Sequence, residues 1–469
     1  MEGTSVSGLD WIDPFCPLLS DRIGIRPGDP PRPQHSSAAR TTRALTHFSQ
    51  AAATAYPVAT IDGAAASLDD ALFAASAMIG SWRQPVFGGL GTDVAGARAL
   101  TRLALRCGAI LDHAHGDSMA QALRAVQDRG GFTCTLSEIR NHADLLVCIG
   151  TDPTLAAPDF FERCGIGESV PDAPTRRSIV FLRLETGVDG AARGMMPVAT
   201  DEAAVDMTPR SLRDAGATVE VLDLKGGDIH VVLAELNAAC SGRKLPRAGP
   251  HWPALQALAE RLQSARYGVL IHSLSSSRSA GGHSALLVEA LGRIVKTLNR
   301  TTRAAAFALG AADGSATASQ TATWLTGLPL RTALHARGFE HDPHRFGSRR
   351  LLESGRADGL LWVSSFSPEL VPPMAAMDAT PLVVLGHPAM AAYFEPDGGG
   401  DSRDGSAGSG AGRPTRIFIA VSTPGVNAPG HLFRGDGGIV LALKPFTTTT
   451  LPAVADIAQR LLGLLEARS

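Results

Sequence analysis

The chain has 469 residues and a net charge of −2 from 43 basic and 45 acidic side chains, with 44% hydrophobic and 19% charged residues. That is roughly three domains' worth of chain, enough for large buried cores, and the balance is that of a globular protein. Near-neutral charge argues against a nucleic-acid partner, and the absence of any run of about 18 apolar residues argues against a membrane span.

The first distinctive stretch is Trp11-Ile12-Asp13-Pro14-Phe15-Cys16-Pro17-Leu18-Leu19-Ser20-Asp21-Arg22-Ile23. It has the look of a cluster-binding cysteine loop from which most thiols are gone. An iron–sulfur cluster needs about four thiolates or equivalent soft ligands at one point. Here Cys16 stands alone, Ser20 offers only an alcohol, and the next cysteine is Cys107. The residues therefore predict that no cluster binds. The six cysteines contain no CxxC pair and are expected to be buried, reduced thiols. No basic segment followed by an apolar core opens the chain, so a cytoplasmic protein is expected. Pro27-Gly28-Asp29-Pro30-Pro31-Arg32-Pro33 cannot continue a helix or a central strand. Residues 1–55 are expected to form an N-terminal arm, with the packed body starting near residue 55.

Beyond the arm, helices are expected at 61–81 and 93–107, and strands at 85–88, 109–112, 144–150, 178–182, 219–222, 267–271, 359–363 and 381–385. Short apolar runs separated by helices indicate buried parallel strands of doubly wound sheets. They are too many for one small sheet, so two α/β domains are predicted, each with a mostly parallel sheet. Residues 56–112 would be the first part of a discontinuous domain, 113–334 an inserted second domain, and 335–469 the remainder of the first. Residues 398–413, built from Gly, Ser, Asp and Ala, are too poor in apolar groups to offset their ordering entropy and are expected to be a flexible insertion. The segment 193–214 carries no recognisable chemistry.

Three segments gather polar or glycine-rich chemistry. Phe87-Gly88-Gly89-Leu90-Gly91-Thr92-Asp93-Val94-Ala95-Gly96 follows a strand and opens a helix, where N–H groups and the helix dipole could hold a phosphate. Its spacing is not GxGxxG, and a tight strand-to-helix turn needs glycines for its own sake. Ile149-Gly150-Thr151-Asp152-Pro153 ends a strand at the edge where ligands of α/β sheets gather, a place that N-caps and turns also occupy. Asp112-His113-Ala114-His115-Gly116-Asp117-Ser118 collects two imidazoles and two carboxylates, a metal or acid/base pattern if a strand points both rings the same way. Against that, Asp117 or Ser118 can cap a helix over 119–128. Phe339-Glu340-His341-Asp342-Pro343-His344-Arg345 is also polar, but Pro343 breaks any helix that would align His341 with His344, and a solvated loop is expected. No GxSxG elbow, HExxH pair or Walker lysine is present.

Taken together, several blocks resemble the B subunit of formylmethanofuran dehydrogenase, a branch of the molybdopterin oxidoreductase superfamily. Pro14 to Ile23 is similar to the family's PFCGTLCDDI loop, and Asp112 to Gly130 to its CHGPS block. Thr135-Leu136-Ser137-Glu138-Ile139-Arg140-Asn141-His142-Ala143-Asp144 is similar to TLGEVKNRAD. Gly310 to Gly327 resembles GADNPAGANQVLTWQTG, and Pro424 to Asp436 resembles PGVDAPGTAYRMD. The likeness covers most of the chain and is weak over 165–265.

The departures carry the functional reading. Members of the family that reduce carbon dioxide hold a cluster with the N-terminal cysteines and bind tungsten or molybdenum through a cysteine or selenocysteine before the HGPS-like element. In this chain Ser20 replaces a cluster cysteine and Ala114 precedes His115-Gly116. Cys16, Ser20 and Ala114 are then degenerate ligand positions, with neither metal nor cofactor expected. Gly89, Gly91, His115, Asp152 and Arg303 are candidates to line a vestigial pocket. The resemblance implies a fold like a molybdopterin oxidoreductase large subunit without its redox centres. Its non-redox form occurs in the formyltransferase/hydrolase complex of methylotrophic bacteria, which takes a formyl group from tetrahydromethanopterin and releases formate. Such a subunit has no catalytic residue of its own. Its implied partners are an amidohydrolase-like hydrolase subunit, a formyltransferase subunit and a small β-rich subunit. Two alternatives remain: an active molybdopterin- or tungstopterin-dependent subunit using His115 as ligand, and a pocket holding a substrate tail through His115 and Arg303.

Overall fold

The computed structural model describes residues 9–21, 23–26, 32–33, 39–54, 56–168, 173–184, 207–273, 284–310, 312–373, 379–394 and 414–468. The insertion expected at 398–413 lies outside them, as does most of 193–214.

Along the chain, β1 (Leu9–Trp11), β2 (Ile23–Arg26) and β3 (Arg32–Pro33) form a small antiparallel sheet, followed by helix α1 (Ala39–Ala53). Next come β4 (Ala59–Ile61), β5 (Ala64–Ala66), α2 (Leu68–Ser81), β6 (Pro85–Gly91), α3 (Val94–Cys107), β7 (Ile110–Leu111) and α4 (Gly116–Arg129). The middle of the chain supplies β8 (Leu145–Ile149), β9 (Ser178–Leu184), β10 (Thr218–Leu224), β11 (Tyr267–Ser273) and β12 (Arg303–Leu309). After the helix Ser315–Thr326 come β13 (Thr332–His335), β14 (Gly338–His341), β15 (Gly359–Ser364), β16 (Leu382–Gly386), β17 (Arg416–Ala420), β18 (Gly430–Phe433) and β19 (Val440–Leu443), and the helix Val454–Glu466 follows them.

Two units result, Met1–Ala120 with Ala311–Ser469, and Gln121–Gly310. The first is built on a nine-stranded sheet of order β14-β13-β7-β6-β15-β16-β17-β4-β5. Its five central strands are parallel, and the outer pairs on both sides are antiparallel. The second unit holds a five-stranded, all-parallel sheet of order β10-β9-β8-β11-β12. Both are mixed α/β architectures with the large parallel sheets that the apolar runs predict.

Strand alternation divides the first core between the faces of the sheet. Leu361 and Val363 pack with Leu72, Leu100, Leu103, Ile457 and Leu461, whereas Leu360 and Trp362 pack with Val86, Phe346, Val384 and Phe418. Helix α3 starts on Asp93, whose Oδ1 accepts the Gly96 N–H at 2.9 Å, and stops at Gly108, whose φ of 68° a Cβ would oppose. In the second unit Val147, Val180 and Leu270 of the sheet pack with Leu233, Leu236, Leu258, Leu262 and Ile294. Among the described residues no helix is long and apolar enough to cross a membrane.

The structure corrects four expectations. The helix expected over 61–81 begins only at Leu68, because Asp62 and Gly63 (φ 49° and 82°) turn β4 back into β5. The paired positive φ values are those of a two-residue hairpin. The polar stretch near Phe339 is not all loop, since β14 pairs antiparallel with β13. The units divide at 120/121 and 310/311, whereas boundaries at 112/113 and 334/335 were expected. Helix Ser315–Thr326 packs on α3, and β13 joins the nine-stranded sheet through β7, so both belong to the first unit. Finally, the packed body does not wait until residue 55. Trp11, Phe15, Leu19 and Leu45 form a core cluster with Phe366, Val426, Leu432 and Leu443.

Candidate functional site

In the first unit the parallel strands run in chain order outward from β6 through β7 on one side, and through β15, β16 and β17 on the other. The direction of winding therefore switches between β6 and β15. In doubly wound sheets the ligand crevice lies beyond the carboxyl ends of such a pair. Here those ends are Gly91-Thr92 and Ser364-Ser365, held together by the Ser365 N–H and Oγ, which both donate to the Gly91 carbonyl, at 2.9 and 2.7 Å.

Asp313 organises the crevice. It is 3% exposed and has a φ of 54°, and Gly314 beside it has a φ of 73°. A Cβ on Gly314 would stand 2.7 Å from the Thr92 carbonyl oxygen, so this close approach needs glycine. The Asp313 carboxylate meets the Arg40 guanidinium of α1 through one oxygen and His115 Nε2 through the other, the latter at 2.8 Å. Burial alone would raise its pKa. Arg40 and His115 outweigh burial and hold the carboxyl well below the usual range.

His113 and His115 do converge, with ring centroids 5.4 Å apart. The cause is a turn and not the expected strand, since β7 ends at Leu111. The His115 N–H donates to His113 Nδ1 at 3.0 Å, which leaves the His113 proton on Nε2, 3.2 Å from the Asp313 carbonyl oxygen. Burial pushes the pKa of His113 down to about 3, with His115 adding to the effect.

The two carboxylates of this segment serve Arg331. Its Nε donates to Asp112 Oδ1 at 3.2 Å, Nη2 pairs with Asp117, and Nη1 donates to the Pro343 carbonyl at 2.6 Å. Asp112 also accepts the Ser348 N–H at 2.7 Å, and its pKa is raised by burial against the pull of Arg331. Neither Asp117 nor Ser118 acts as the expected N-cap. Asp117 sits in the first turn of α4, and Ser118 Oγ donates back to the His115 carbonyl at 3.0 Å.

The glycines after β6 do steric work. Gly89 has a φ of 75°, and a Cβ there would lie 2.5 Å from the Val363 carbonyl oxygen; one on Gly88 would lie 2.9 Å from the Trp362 ring. They let β6 bulge against β15, where the register shifts between Trp362 and Ser364. Gly91 is held by Ser365. The Asp93 carboxylate already occupies the N-terminus of α3, where a phosphate would have to sit.

The remaining candidates fall elsewhere. Asp152, at the end of β8 in the second unit, caps a short turn by accepting from Thr154 N–H and Oγ1 at 2.9 and 2.7 Å. Arg303, also in the second unit, opens β12 at its amino end, away from that sheet's crevice edge, and stacks 5.2 Å from the Tyr267 ring centre. The residues that sequence reasoning missed are Arg40, Asp313 and Arg331, and the one local signal was the Asp313-Gly314 pair in front of a helix.

The positions implied as former ligands do not fit a cluster or a metal. Cys16 and Ser20 are buried in a loop that closes on itself, with Asp13 N–H donating to the Ser20 carbonyl at 2.8 Å and Leu19 N–H to the Cys16 carbonyl at 2.9 Å. The loop interior is the apolar cluster of Trp11, Phe15 and Leu19, and Trp11 Nε1 donates to the Gly425 carbonyl at 2.6 Å. Asp13 takes the Phe15 N–H at 2.8 Å and the Thr41 hydroxyl at 2.5 Å, and burial raises its pKa to about 6. The Ala114 methyl packs against the cluster containing Trp362 and Val86. Among the described residues no group of three or more His, Cys, Asp or Glu side chains is placed to hold a metal ion. None of the six cysteines is in a disulfide, and all but Cys107 are buried.

No family model matches the chain. It is 26% identical over 408 residues to the B subunit of the formyltransferase/hydrolase complex of Methylorubrum extorquens, covering 87% of this chain and 97% of that one. It is 23% identical over 267 residues to the B subunit of the tungsten-containing formylmethanofuran dehydrogenase 2 of Methanocaldococcus jannaschii, 56% of each chain. A chain of the crystal structure of the M. extorquens formyltransferase/hydrolase complex with methylofuran superposes with a TM-score of 0.64 at 24% identity, covering 87% of this chain and 99% of that one. The chain is thus a homologue of the B subunit of the formyltransferase/hydrolase complex, with a more distant similarity to the B subunit of formylmethanofuran dehydrogenase.

Proposed function

We propose that this chain is a non-catalytic, structural subunit of a cytoplasmic formyltransferase/hydrolase complex, which converts formyl-tetrahydromethanopterin to formate through a formylmethanofuran-type intermediate in one-carbon metabolism. Its partners would be the amidohydrolase-like hydrolase subunit, the formyltransferase subunit and a small β-rich subunit, with no metal or cofactor of its own. The observation that carries this reading is the match to nearly the whole length of the M. extorquens relative. The side-chain chemistry supports it. The position before His115 is a methyl group packed near Trp362, and the loop around Cys16 is filled by Trp11, Phe15 and Leu19. An active molybdopterin- or tungstopterin-dependent subunit has less support, because the tungsten-containing relative matches over 56% of the chain and Ala114 offers no donor.

Affinity purification of the chain from its native cell extract, with mass spectrometry and elemental analysis of what it brings, tests this. The expected result is the hydrolase and formyltransferase subunits without stoichiometric tungsten, molybdenum or cluster iron. Recovery of the chain alone, or with one of those metals bound to it, refutes the proposal.

A further inference from the structure

In the second unit the strand register brings a row of cations to one edge. Leu145 of β8 pairs with Ser178 of β9 and with Gly268 of β11, and Tyr267 of β11 pairs with Arg303 of β12, so the four amino ends stand level. Arg176 lies just before β9, Arg266 directly precedes β11, and Arg303 opens β12. Arg300 is in the turn between helix Ser284–Leu298 and β12, and the Thr302 hydroxyl of that turn donates to the Ala265 carbonyl beside Arg266. Helix Ile229–Cys240 ends at the same edge, where Gln263 Nε2 donates to the Cys240 carbonyl at 2.8 Å, and Arg243 and Lys244 follow it. All six side chains are exposed.

Cations at such an edge ordinarily answer the carbonyls left open at helix C-termini. Here other groups answer them. Buried Arg177 donates to the Ile139 carbonyl at 3.0 Å and to the Arg140 carbonyl, closing helix Leu136–His142. Gln263 takes the Cys240 carbonyl, Thr302 that of Ala265, and Asn299 Nδ2 that of Val295 at 3.0 Å. Two nearby acids are engaged as well. Asp144 accepts the Arg266 and Tyr267 N–H groups at 2.9 and 2.8 Å, and Glu138 closes a capping box with Thr135. Glu260 stands one turn inside the end of helix Trp252–Ser264. Among the described residues none of the six cations is in an ion pair. Arg303 lies over the Tyr267 ring, a contact that holds the guanidinium without neutralising it. Cations gathered without counter-charges repel one another and favour an anion from outside the chain.

The spread of the row selects the kind of anion. From β9 through β8 and β11 to β12 there are three strand spacings, about 14 Å, more than one small ion can bridge. An extended polypeptide, at about 3.4 Å per residue, covers that distance in four or five residues. The net charge of −2 argues against a phosphate backbone. We propose that the amino-terminal edge of the five-stranded sheet, formed by Arg176, Arg243, Lys244, Arg266, Arg300 and Arg303, binds an acidic polypeptide segment in extended form. Its carboxylates meet the guanidinium groups, which suit that pairing geometrically. The inference goes beyond the reading of the chain as a subunit and does not depend on it.

The test follows a fluorescein-labelled decapeptide of alternating Glu and Asp binding to the full-length chain by fluorescence anisotropy, at about 0.02 M and about 0.15 M salt. Arg266→Glu/Arg300→Glu is compared with Arg349→Glu/Arg356→Glu, two exposed arginines of the first unit whose reversal changes the net charge equally. Unchanged thermal unfolding shows that each variant is folded, and Arg243→Glu/Lys244→Glu replaces the first pair if that variant is not. Wild type and the first-unit variant are expected to bind alike, and the edge variant at least about tenfold more weakly. Raising the salt should weaken wild-type binding about tenfold and affect the edge variant less. A wild-type chain that does not bind the peptide at the lower salt overturns the inference. So does an equal loss in both variants, which would make net charge the cause. Displacement of the peptide by an equal concentration of a single-stranded DNA decamer also overturns it, since the edge would then prefer phosphates.

Discussion

Lowering the pH from 7 to 5 is expected to destabilise both units through histidines that burial keeps neutral. In the first unit His113 and His387 have ring pKa values pushed down to about 3, chiefly by burial. In the second, burial takes His272 down to about 4. A ring whose folded pKa lies below its unfolded value of about 6.5 binds fewer protons folded than unfolded. Its contribution is intact above pH 6.5 and is lost as the pH falls below it. At pH 5 each such ring costs about 2 kcal/mol, being protonated in the unfolded chain and neutral in the folded one. Asp13 has the opposite sign. Burial raises its pKa to about 6, so the folded state takes up a proton in this window that the unfolded chain does not, returning about 1 kcal/mol. Asp313, held below the usual carboxylate range, is ionised throughout and contributes no pH dependence here. His113, His387 and Asp13 together should therefore cost the first unit about 2 to 3 kcal/mol, with Asp112, also raised by burial, acting in the same direction as Asp13, and His272 should cost the second about 2 kcal/mol, a large share of an ordinary domain's stability. Urea unfolding followed by tryptophan fluorescence should show midpoints falling by about 1 M. His387→Gln should recover roughly half of the first unit's histidine loss. Midpoints that hold or rise on acidification would refute the assignment of neutral buried rings.

Three further outcomes can be checked directly. Asp313→Ala removes the partner of both Arg40 and His115. Arg40 can turn its partly exposed guanidinium to water, so the expected destabilisation in urea is about 2 kcal/mol, less than for a fully buried pair. Gly89→Ala places a Cβ against the Val363 carbonyl at a φ of 75° and should cost about 3 kcal/mol, read from the urea midpoint. Ala114→Cys restores a thiol at the position implied to have held the metal, but the site around it is now apolar packing near Trp362. Elemental analysis of the purified variant should find no stoichiometric tungsten or molybdenum, and uptake of either metal would show that the methyl group alone excludes it.

What the sequence revealed depended on how local the cause was. Strands β8, β15 and β16 were legible because a parallel strand covered on both faces reads as one apolar run. Strand β12, Arg303–Leu309, was missed because Arg-Ala-Ala-Ala-Phe-Ala-Leu has the composition of a helix, and only pairing with β11 makes it a strand. The Asp62-Gly63 turn was readable in principle, since Asp-Gly between short segments is a strong hairpin signal, but the alanines beside it suggested a helix. In the crevice, His113 and His115 do converge, but through a turn after Leu111 and not through the strand alternation that their spacing suggested. Their partner Asp313 lies 198 positions beyond His115, and no periodicity connects the two. The position of Arg303 within its own sheet was hidden for a related reason. A basic residue near the start of a parallel strand lies at the end opposite the crevice, and the direction of β12 is set by the sheet.

The two positions that the resemblance implies as former ligand sites, Ser20 and Ala114, lie in surroundings with one physical feature in common. A polar donor set that lost its ion would leave buried donors and acceptors unsatisfied, each costing about 1 to 3 kcal/mol. In the Cys16 loop the backbone groups bond to one another, and the interior is apolar side chain. The methyl of Ala114 has joined a hydrophobic cluster. Asp93 caps the helix that a phosphate would need, and Arg40 pins α1 to Asp313 across the winding switch between β6 and β15. Packing and internal ion pairs occupy the places where coordination or anion binding would have to occur. Opening them for a ligand would require breaking the Arg40–Asp313 pair and withdrawing Trp11, Phe15 and Leu19 from their cluster together, so single-residue restorations are expected to leave them closed.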